Sequence, residues 1–434
     1  MPDLLDLHGL LPVARRVDEK GQIIITVEGR APAPPRCCLF QDLRKNGRKT
    51  VLCRDHPMQN KPVWLEVKRQ RYKCAACGAV LYDNLPELDP DRRVTERFRH
   101  RLGWDAVEHT FATAAKMNGV EETFVRRVFA EFAKERLAGY TVVLPSVLGM
   151  DENVLLGKAR FVIGDIKEKR LLDLRETRLE ADLDGYFEQM HGRDNVDVVC
   201  QDMWRGYRNI TKRHFPKAVT VIDKFHVVRL ANYAVESARK ALYNGLTNDE
   251  RKHLKRRNRL LLARWAVAKE STKAALTKMF DQYPSLAAAY WHKERFFDIY
   301  ESETRAEAEA ATNRWQAEVP AGLEDFFKPV RTALSNWRPY ILRYFEHRYT
   351  NAYVETVNGL IGEMNRRGRG YNFEVLRAKV LLKYGNSAMR LPDGSLWQGD
   401  YGFGFFEPDA EGNRFVGLGA DLSTLMARIE GGRL

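Results

Sequence analysis

The stretch SVLGMDENVLLGKARFVIGDIKEKRLLDLRE, residues 146–176, decides the fold of this chain. It contains three runs rich in apolar and β-branched residues, separated by short polar turns, which is the pattern of three consecutive strands. LEADLDGYFEQMHG then has helical periodicity, and VDVVCQDMW is a continuous apolar run typical of a buried strand. Finally, WRGYRNITKRHF predicts a second helix, and AVTVIDKFHVV predicts a fifth strand.

The order three strands, helix, strand, helix, strand is that of a ribonuclease H-like domain, whose mixed sheet is flanked by helices. We place the first part of this core at residues 143–228. Residues 229–336 are nearly all helical and strongly charged, and predict an all-helical insertion that interrupts the core. The core resumes at residues 337–390, and residues 391–434 predict a loop-rich appendix with a short helix.

Carboxylates end two of the predicted strands. Asp151 closes the first strand and Asp202 closes the fourth. Because those strands are neighbours in such a sheet, we expect the two side chains to converge at one edge. A third carboxylate, Glu355, lies in TNAYVETVNGLIGEMNRRGRG, residues 350–370, where helical spacing gives a polar stripe beside an apolar one. The polar stripe is Asn351, Glu355, Asn358, Gly362 and Asn365, and the apolar stripe is Val354, Val357, Ile361 and Met364.

Three carboxylates around one cleft repel one another unless a divalent cation neutralises them, and hard oxygen ligands suit Mg²⁺ or Mn²⁺. Such an arrangement supports phosphodiester chemistry with two metal ions. The asparagines beside Glu355 would orient it or touch phosphate. A nucleic acid backbone would be bound by Arg366, Arg367 and Arg369. The alternative is an amphipathic surface helix with a solvated glutamate.

Five of the six cysteines lie close together near the N-terminus. In a large protein of a reducing compartment, such a cluster indicates a metal-binding site in preference to disulfide bonds. Cys74-x-x-Cys77, followed by Gly78, is typical of a turn that wraps a tetrahedral zinc ion. We therefore expect a zinc-binding β module at residues 36–90. Two of its ligands would be Cys74 and Cys77, and the other two would come from Cys37, Cys38, Cys53 and His56. The alternative is a set of inert buried thiols.

The flanking segments also have recognisable patterns. Residues 13–28 alternate about a Lys-Gly turn and predict a hairpin, and the following APAPP predicts a stiff linker, so that residues 1–35 form a leading segment. Residues 91–142 are helical, with Ala115, Gly119 and Val125 at the spacing of a helix-turn-helix. The exposed candidates for reading DNA are Glu122, Thr123, Arg126 and Arg127. An ordinary helical hairpin is the alternative.

Charge and hydropathy limit the partners. Lys and Arg number 71 against 58 acidic residues, and the formal charge of +13 favours a polyanion, either nucleic acid or an acidic membrane surface. No apolar run approaches the roughly 20 residues that span a bilayer. The N-terminus also lacks the pattern of a cleaved signal. We expect a soluble intracellular protein.

Taken together, these motifs resemble the DDE transposases of bacterial insertion sequences, most closely the ISL-three family. The likeness runs from about residue 10 to 390 and includes RYKCAACG, GMDE, CQDMW, FPKAVTVIDKFHVVR and TNAYVETVNGLIGEMNRRGRG. The chain departs from the family pattern at the adjacent Cys37 and Cys38, where relatives usually have Cys-x-x-Cys. It also departs at Gly362, where many have a lysine.

The resemblance implies a triad of Asp151, Asp202 and Glu355 that binds Mg²⁺ or Mn²⁺, with Asp223 and His226 beside it. It implies a transposase that binds the terminal inverted repeats of its element, then cleaves and transfers DNA strands. Pairing two ends makes a homodimer the expected minimum, in the bacterial cytoplasm and on the nucleoid when bound. One alternative is a DNA-binding regulator that has lost its chemistry. Another is a different ribonuclease H-like nuclease, such as a junction resolvase or an RNA-directed nuclease.

Overall fold

The computed structural model describes residues 10–32, 43–59, 61–85, 88–89 and 93–385. The chain divides into two compact units, one up to Gly139 and one from Tyr140 onward. The predicted appendix at residues 391–434 lies outside the described residues, as do two candidate zinc ligands, Cys37 and Cys38.

The first unit contains a seven-stranded sheet in which β1-β2-β4-β3-β7-β6 are neighbours in that order and β5 pairs with β4. The strands are β1 (Leu10–Val17), β2 (Ile23–Gly29), β3 (Leu43–Met58), β4 (Lys61–Cys74), β5 (Val80–Tyr82), β6 (Leu88–Asp89) and β7 (Val94–Thr95). β1 and β2 form the predicted antiparallel hairpin. β2 also lies parallel to β4, so the hairpin shares one sheet with the strands that carry Cys53 and Cys74.

Three helices follow in the same unit: α1 (Glu96–Glu108), α2 (Phe111–Asn118) and α3 (Glu122–Arg136). Gly119 ends α2 with a φ of +61°, a left-handed conformation that favours glycine at the turn into α3. The predicted apolar position, Val125, is fully buried on α3. The predicted small residue Ala115 is buried on α2. α1 and α3 also meet at a small residue, because a Cβ at position 103 would lie 2.4 Å from the Phe132 ring.

The second unit begins with a five-stranded mixed sheet in the order β10-β9-β8-β11-β12. β8, β9 and β10 are antiparallel, whereas β11 lies parallel to both β8 and β12. The elements follow the predicted order along the chain: β8 (Val147–Leu155), β9 (Lys158–Asp165), β10 (Arg170–Arg175), α4 (Glu180–Glu188), β11 (Val198–Gln201), α5 (Arg205–His214) and β12 (Val219–Ile222). α4 and α5 cover one face of the sheet through buried side chains such as Phe187 and Tyr207, which pack with Phe161.

Between β12 and the last two helices, the described chain is helical with short 3₁₀ turns and contains no strand. The helices of this segment are α6 (Lys224–Ala241), α7 (Asn248–Arg256), α8 (Glu270–Gln282), α9 (Pro284–Asp298), α10 (Arg305–Ala317), α11 (Glu324–Leu342) and α12 (Tyr344–His347). They share a core rich in aromatic side chains, in which His292 stacks on Trp315 and meets Phe327 edge-on.

The chain then returns to the sheet through α13 (Ala352–Gly368) and α14 (Phe373–Tyr384). α13 packs closely on β8 and β9 because the facing residues, Gly149 and Gly164, have no side chain and are partners in the β8–β9 register. A Cβ on Gly149 would lie 2.4 Å from Asn351 Oδ1, and a Cβ on Gly164 would lie 2.8 Å from Val354 Cγ2. These two glycines therefore fix how near the start of α13 comes to the sheet.

Candidate active site

Asp151 does not close its strand as predicted, because β8 continues to Leu155 in its pairing with β9, but the sheet still brings Asp151 beside Asp202. β8 and β11 pair in parallel, with Met150 opposite Gln201, so that Asp151 and Asp202 each follow equivalent positions. Asp151 is 4% exposed, and Asp202 is partly exposed just beyond the end of β11. The third carboxylate, Glu355, lies in the first turn of α13 and is half-buried, so the solvated surface glutamate of the alternative interpretation is not what the structure contains.

His226, in the first turn of α6, lies among the carboxylates. Its Nε2 is 3.8 Å from Asp151 Oδ1 and 3.6 Å from Asp202 Oδ2. Its Nδ1 is 3.1 Å from Asp223 Oδ2 and 3.7 Å from Glu355 Oε1. Four carboxylates from separate stretches of the chain thus surround one imidazole. Asp223, His226 and Glu355 offer ligand atoms that all lie within 4.8 Å of one another, close enough to share a metal ion.

The asparagines flanking Glu355 hold the surrounding groups. The Asn351 backbone N–H donates to Asp223 Oδ1 at 3.0 Å, and its side-chain Nδ2 donates to the carbonyl of Met150 at 2.9 Å. The Asn358 Nδ2 donates to Asp151 Oδ2 at 2.9 Å. Asn351 therefore links α13 to Asp223, and Asn358 links it to Asp151.

Burial and mutual repulsion make this cluster costly to ionise. Burial raises the pKa of Asp151 to about 7, although the charge of His226 opposes the shift. Burial and the charge of Asp223 raise the pKa of Glu355 to about 8. Burial alone would lower the pKa of His226, but its hydrogen bond to Asp223 and the surrounding negative charges raise it to about 9. A set of hard oxygen donors with excess negative charge fits a divalent cation.

Sequence reasoning missed several residues of this site. The Asn153 Nδ2 donates to the Asn358 carbonyl at 2.8 Å, and the Tyr207 hydroxyl donates to the Asp151 carbonyl at 3.1 Å. Arg229 lies near enough for its charge to lower the pKa of Glu355 in part. A signal exists for two of them: Asn153 follows Asp151 at the period of a strand, and Arg229 lies one helical turn after His226.

The predicted DNA-contacting side chains lie on helix surfaces. Arg126 pairs with Glu122 at 2.5 Å and covers the Phe111 ring, while Arg127 covers Phe124 and Thr123 is exposed. At the other end of the chain, Arg366, Arg367 and Arg369 are exposed around the C-terminus of α13, and Arg367 pairs with Glu363 at 2.6 Å.

The Cys74–Cys77 stretch forms the expected tight turn. The Cys74 backbone carbonyl accepts from the Gly78 N–H at 3.0 Å and its N–H donates to the Ala79 carbonyl at 2.9 Å, and Gly78 has a φ of +75°. Cys77 is exposed at the tip of this turn, and Cys74 is buried at the end of β4. Both thiols are thus presented on one turn, as a zinc site requires.

The strand register removes two of the candidate ligands. Cys53 lies opposite Leu65, whereas Cys74 lies opposite Leu43, so the two cysteines are about 30 Å apart along the β3–β4 pair. Ligands of one zinc ion lie about 2.3 Å from it. Of the four open candidates for the remaining ligands, Cys53 and His56 do not fit this register, because both lie at the far end of β3 and Cys53 packs in the hydrophobic core.

Sequence comparisons agree with this geometry. The DDE model of the ISL-three family, described as "Transposase", matches residues 148–380, which is more than half of the 434 residues. The chain belongs to the ISL-three family of DDE transposases. The zinc finger of transposases IS204, IS1001, IS1096 and IS1165 matches residues 34–77. The chain is also similar to the transposase for insertion sequence element IS1001 of Bordetella parapertussis, with 25% identity over 347 residues, 73% of this chain and 80% of that one.

The resemblance drawn from the sequence motifs is therefore confirmed, and the chain is a transposase. Neither a regulator without chemistry nor an unrelated ribonuclease H-like nuclease is favoured by these matches. The zinc-finger match supports a structural zinc ion in this transposase, and the family implies DNA binding and a divalent metal. Among the described residues, no helix is long and apolar enough to cross a membrane.

Proposed function

We propose that this transposase binds the terminal inverted repeats of its insertion sequence, cleaves the DNA there and transfers the strands, with Asp151, Asp202 and Glu355 as its catalytic triad. The observation that carries the proposal is the convergence of these carboxylates, from three distant stretches of the chain, within 4 Å of His226. In a DDE transposase this is the arrangement expected of the catalytic acids.

The triad is the donor set that would hold Mg²⁺ or Mn²⁺. When bound, such ions activate the attacking oxygen and stabilise the leaving oxygen of a phosphodiester. Asn358 orients Asp151 through Oδ2, and Tyr207 anchors the same residue through its backbone carbonyl. His226 donates Nδ1–H to Asp223, which leaves Nε2 facing Asp151 and Asp202. These contacts keep mutually repelling groups in place before substrate arrives.

The catalytic core is ribonuclease H-like in this proposal, and its insertion is residues 229–336, which begin within α6 and end within α11. The mixed sheet order and the unbroken helical run between β12 and α13 support both assignments. α11 contacts α6 and β12, which joins the helical segment to the core. The assembly that pairs two element ends is a homodimer.

The first unit reads the element ends. Helices α2 and α3 act as a helix-turn-helix, with Glu122, Thr123, Arg126 and Arg127 on the exposed side of α3. In this proposal the zinc ion is held by Cys74 and Cys77 together with Cys37 and Cys38, a choice supported by the register that separates Cys53 from Cys74. At the other end of the chain, Arg366, Arg367 and Arg369 bind the DNA backbone.

The decisive experiment is strand cleavage on DNA carrying the element ends with Mg²⁺ or Mn²⁺. Asp151→Asn, Asp202→Asn and Glu355→Gln should each abolish cleavage and leave end binding nearly intact, because each removes one negative charge needed to hold metal. Double substitutions should cost little more than single ones, because the three act as a unit.

Glu363→Gln is the matched control, since Glu363 lies on the same helix but is partly exposed and pairs with Arg367. It should cleave normally. Normal cleavage by Glu355→Gln would remove Glu355 from the triad. No cleavage by the unaltered protein with either metal would favour a transposase that has lost its chemistry.

A further inference from the structure

Helix α7, within the helical segment, carries a concentration of exposed basic side chains. Lys252, Lys255 and Arg256 follow the i, i+3, i+4 spacing of one helix face, whereas Leu254 turns inward and is 1% exposed. The 3₁₀ turn that follows adds the exposed Arg259. We call these four basic residues the α7 face.

The α7 face is largely without counter-charge. Its one described ion pair joins Lys252 to Asp249 at 3.6 Å, and both side chains are strongly exposed, at 69% and 95%, so the pair is weak. Among the described residues, Lys255, Arg256 and Arg259 have no carboxylate within 4.0 Å. Some surface arginines of the same segment are paired, as Arg295 and Arg305 are with glutamates at 3.0 and 3.2 Å. The exposed Arg314 and Arg331 have no ion pair among the described residues, but neither belongs to a cluster of basic residues as dense as the α7 face, whose cations lie close together along the chain.

A small cavity lies beside this face and is also cationic. It has a volume of about 70 Å³ and is lined by His253, Leu254, Arg257, Lys278, Met279, Gln282 and Tyr283. No carboxylate is among these lining residues. Glu250, whose charge reaches Tyr283, is already bound through Oε2 to the backbone and hydroxyl of Thr247. A cavity of this size has room for a few ordered waters or for the oxygens of one phosphate group.

The dipole of α7 explains the basic residues in its last turn but not the other cations near its C-terminus. Basic residues in the last turn of α7 are stabilised by the negative end of the helix, by about 0.3–1 kcal/mol each. Arg257 and Arg259 lie beyond that turn, and Lys278 belongs to α8. Arg257 and Lys278 line the same cavity, so a cation from a second helix lies beside the end of α7, which stabilising α7 does not require.

We propose that the α7 face and its cavity form a second DNA-binding surface, which holds the phosphodiester backbone of duplex DNA without reading sequence. Arg257 and Lys278 bind one phosphate at the cavity, and the α7 face contacts its neighbours along the strand. This inference rests on the proposed function, because it requires that the transposase handle DNA beyond the repeats that its first unit recognises.

Salt dependence of binding tests the proposal, with the full-length protein and a duplex that lacks the element ends. Arg257→Gln with Lys278→Gln should lower affinity and reduce the slope of log K against log salt by about 0.9 for each phosphate that the variant no longer neutralises. Lys255→Gln with Arg256→Gln, both exposed, should act similarly without disturbing the fold. The matched control is Arg295→Gln with Arg305→Gln, which removes the same charge from the same segment and should leave the slope unchanged.

Unchanged slopes in both test pairs, or an equal reduction of the slope in the control, would overturn the inference, since net charge alone would then explain binding. Triad-dependent cleavage of the element ends would still uphold the proposed function in that case. If the unaltered protein bound neither the element ends nor the duplex that lacks them, the proposed function and this inference would both be wrong.

Discussion

At the residue scale, Asn358 has the most specific task of the asparagines in the cleft. Its Nδ2 donates to Asp151 Oδ2 at 2.9 Å, and its own carbonyl accepts from Asn153. Losing a hydrogen bond that orients a metal ligand typically costs 10- to 100-fold in activity or metal affinity. We expect Asn358→Ala to slow cleavage of element ends by about that factor.

Asn365→Ala serves as its comparison, because Asn365 lies two turns further along the same stripe of α13 and is partly exposed. That variant should cleave at the normal rate. An equal loss of activity in both variants would indicate that α13 as a whole had been disturbed, and Asn358 would then have no special role.

His292 supplies a pH dependence that is independent of the active site. The side chain is fully buried and stacks on Trp315 at 4.5 Å, and within the described residues neither ring nitrogen has a hydrogen-bond partner. Burial lowers its pKa to about 4, with nearby Arg295 adding to the shift. Because the unfolded chain takes up this proton near pH 6.5, stability is complete above that pH and falls as pH drops toward 4.

His292→Phe should remove this decrease in stability, which amounts to at most about 3 kcal/mol. Denaturant unfolding of the full chain at several pH values measures it. The exposed His191 provides the comparison, and His191→Gln should keep the normal profile. His100, whose pKa burial also lowers to about 4, keeps part of the decrease in the unaltered protein and in His292→Phe alike, so the difference between their two profiles carries the test. A difference that does not change between pH 6.5 and 4 would contradict the assignment.

At the scale of elements, the glycine pair in β8 and β9 sets the depth at which α13 sits on the sheet. Gly149→Ala would place a Cβ 2.4 Å from Asn351 Oδ1, so the start of α13 must move away and carry Glu355 with it. A misplacement of about 1 Å can cost about 100-fold in rate. We expect a decrease of that order in cleavage, measured beside thermal unfolding.

Gly185→Ala is the companion variant, because Gly185 lies within α4 and a Cβ there would meet no atom within 4 Å. It should raise the stability by about 0.5–1 kcal/mol and leave cleavage unchanged. Cleavage at the normal rate by Gly149→Ala would show that α13 tolerates the shift.

The register of β3 and β4 makes a prediction about zinc. Cys74→Ser and Cys77→Ser should each abolish zinc binding by the full-length protein, because each removes a thiolate from the turn. Cys53→Ala should keep its zinc, although it leaves a small cavity in the core, since Cys53 lies about 30 Å along the strands from Cys74. Metal analysis of the purified variants decides the matter, and absence of zinc from Cys53→Ala would contradict the register argument.

The sequence predicts those features that depend on residues near one another in the chain, and it does not predict those that depend on distant residues. The order of strands and helices from β8 to β12, the apolar stripe of α13 and the approach of Asp151 to Asp202 follow from local periodicity and sheet connectivity. The separation of Cys53 from Cys74 does not, because register is set by pairing between strands. The need for glycine at positions 149 and 164 cannot be predicted locally either, because the helix that packs on them lies roughly two hundred positions later in the chain.

At the scale of the whole molecule, charge and composition predicted the class of partner but not its placement. A formal charge of +13 favours polyanions, yet it does not distinguish paired arginines from unpaired ones. The structure makes that distinction in the helical segment, where the α7 face lacks the carboxylates that accompany Arg295 and Arg305. The sequence indicated this segment only as a charged helical insertion.

The hydrogen bond from the Asn351 backbone to Asp223 joins residues 128 positions apart. On the ribosome, the zinc module and the first two carboxylates therefore emerge well before the helix that carries Glu355, and the cleft closes only after that helix has been made. A nonsense codon within the helical segment would yield a product that retains the first unit, which we propose reads the element ends, and that lacks the third acid. Such truncated chains would occupy element ends without cutting them, and would act as dominant-negative inhibitors of their full-length siblings.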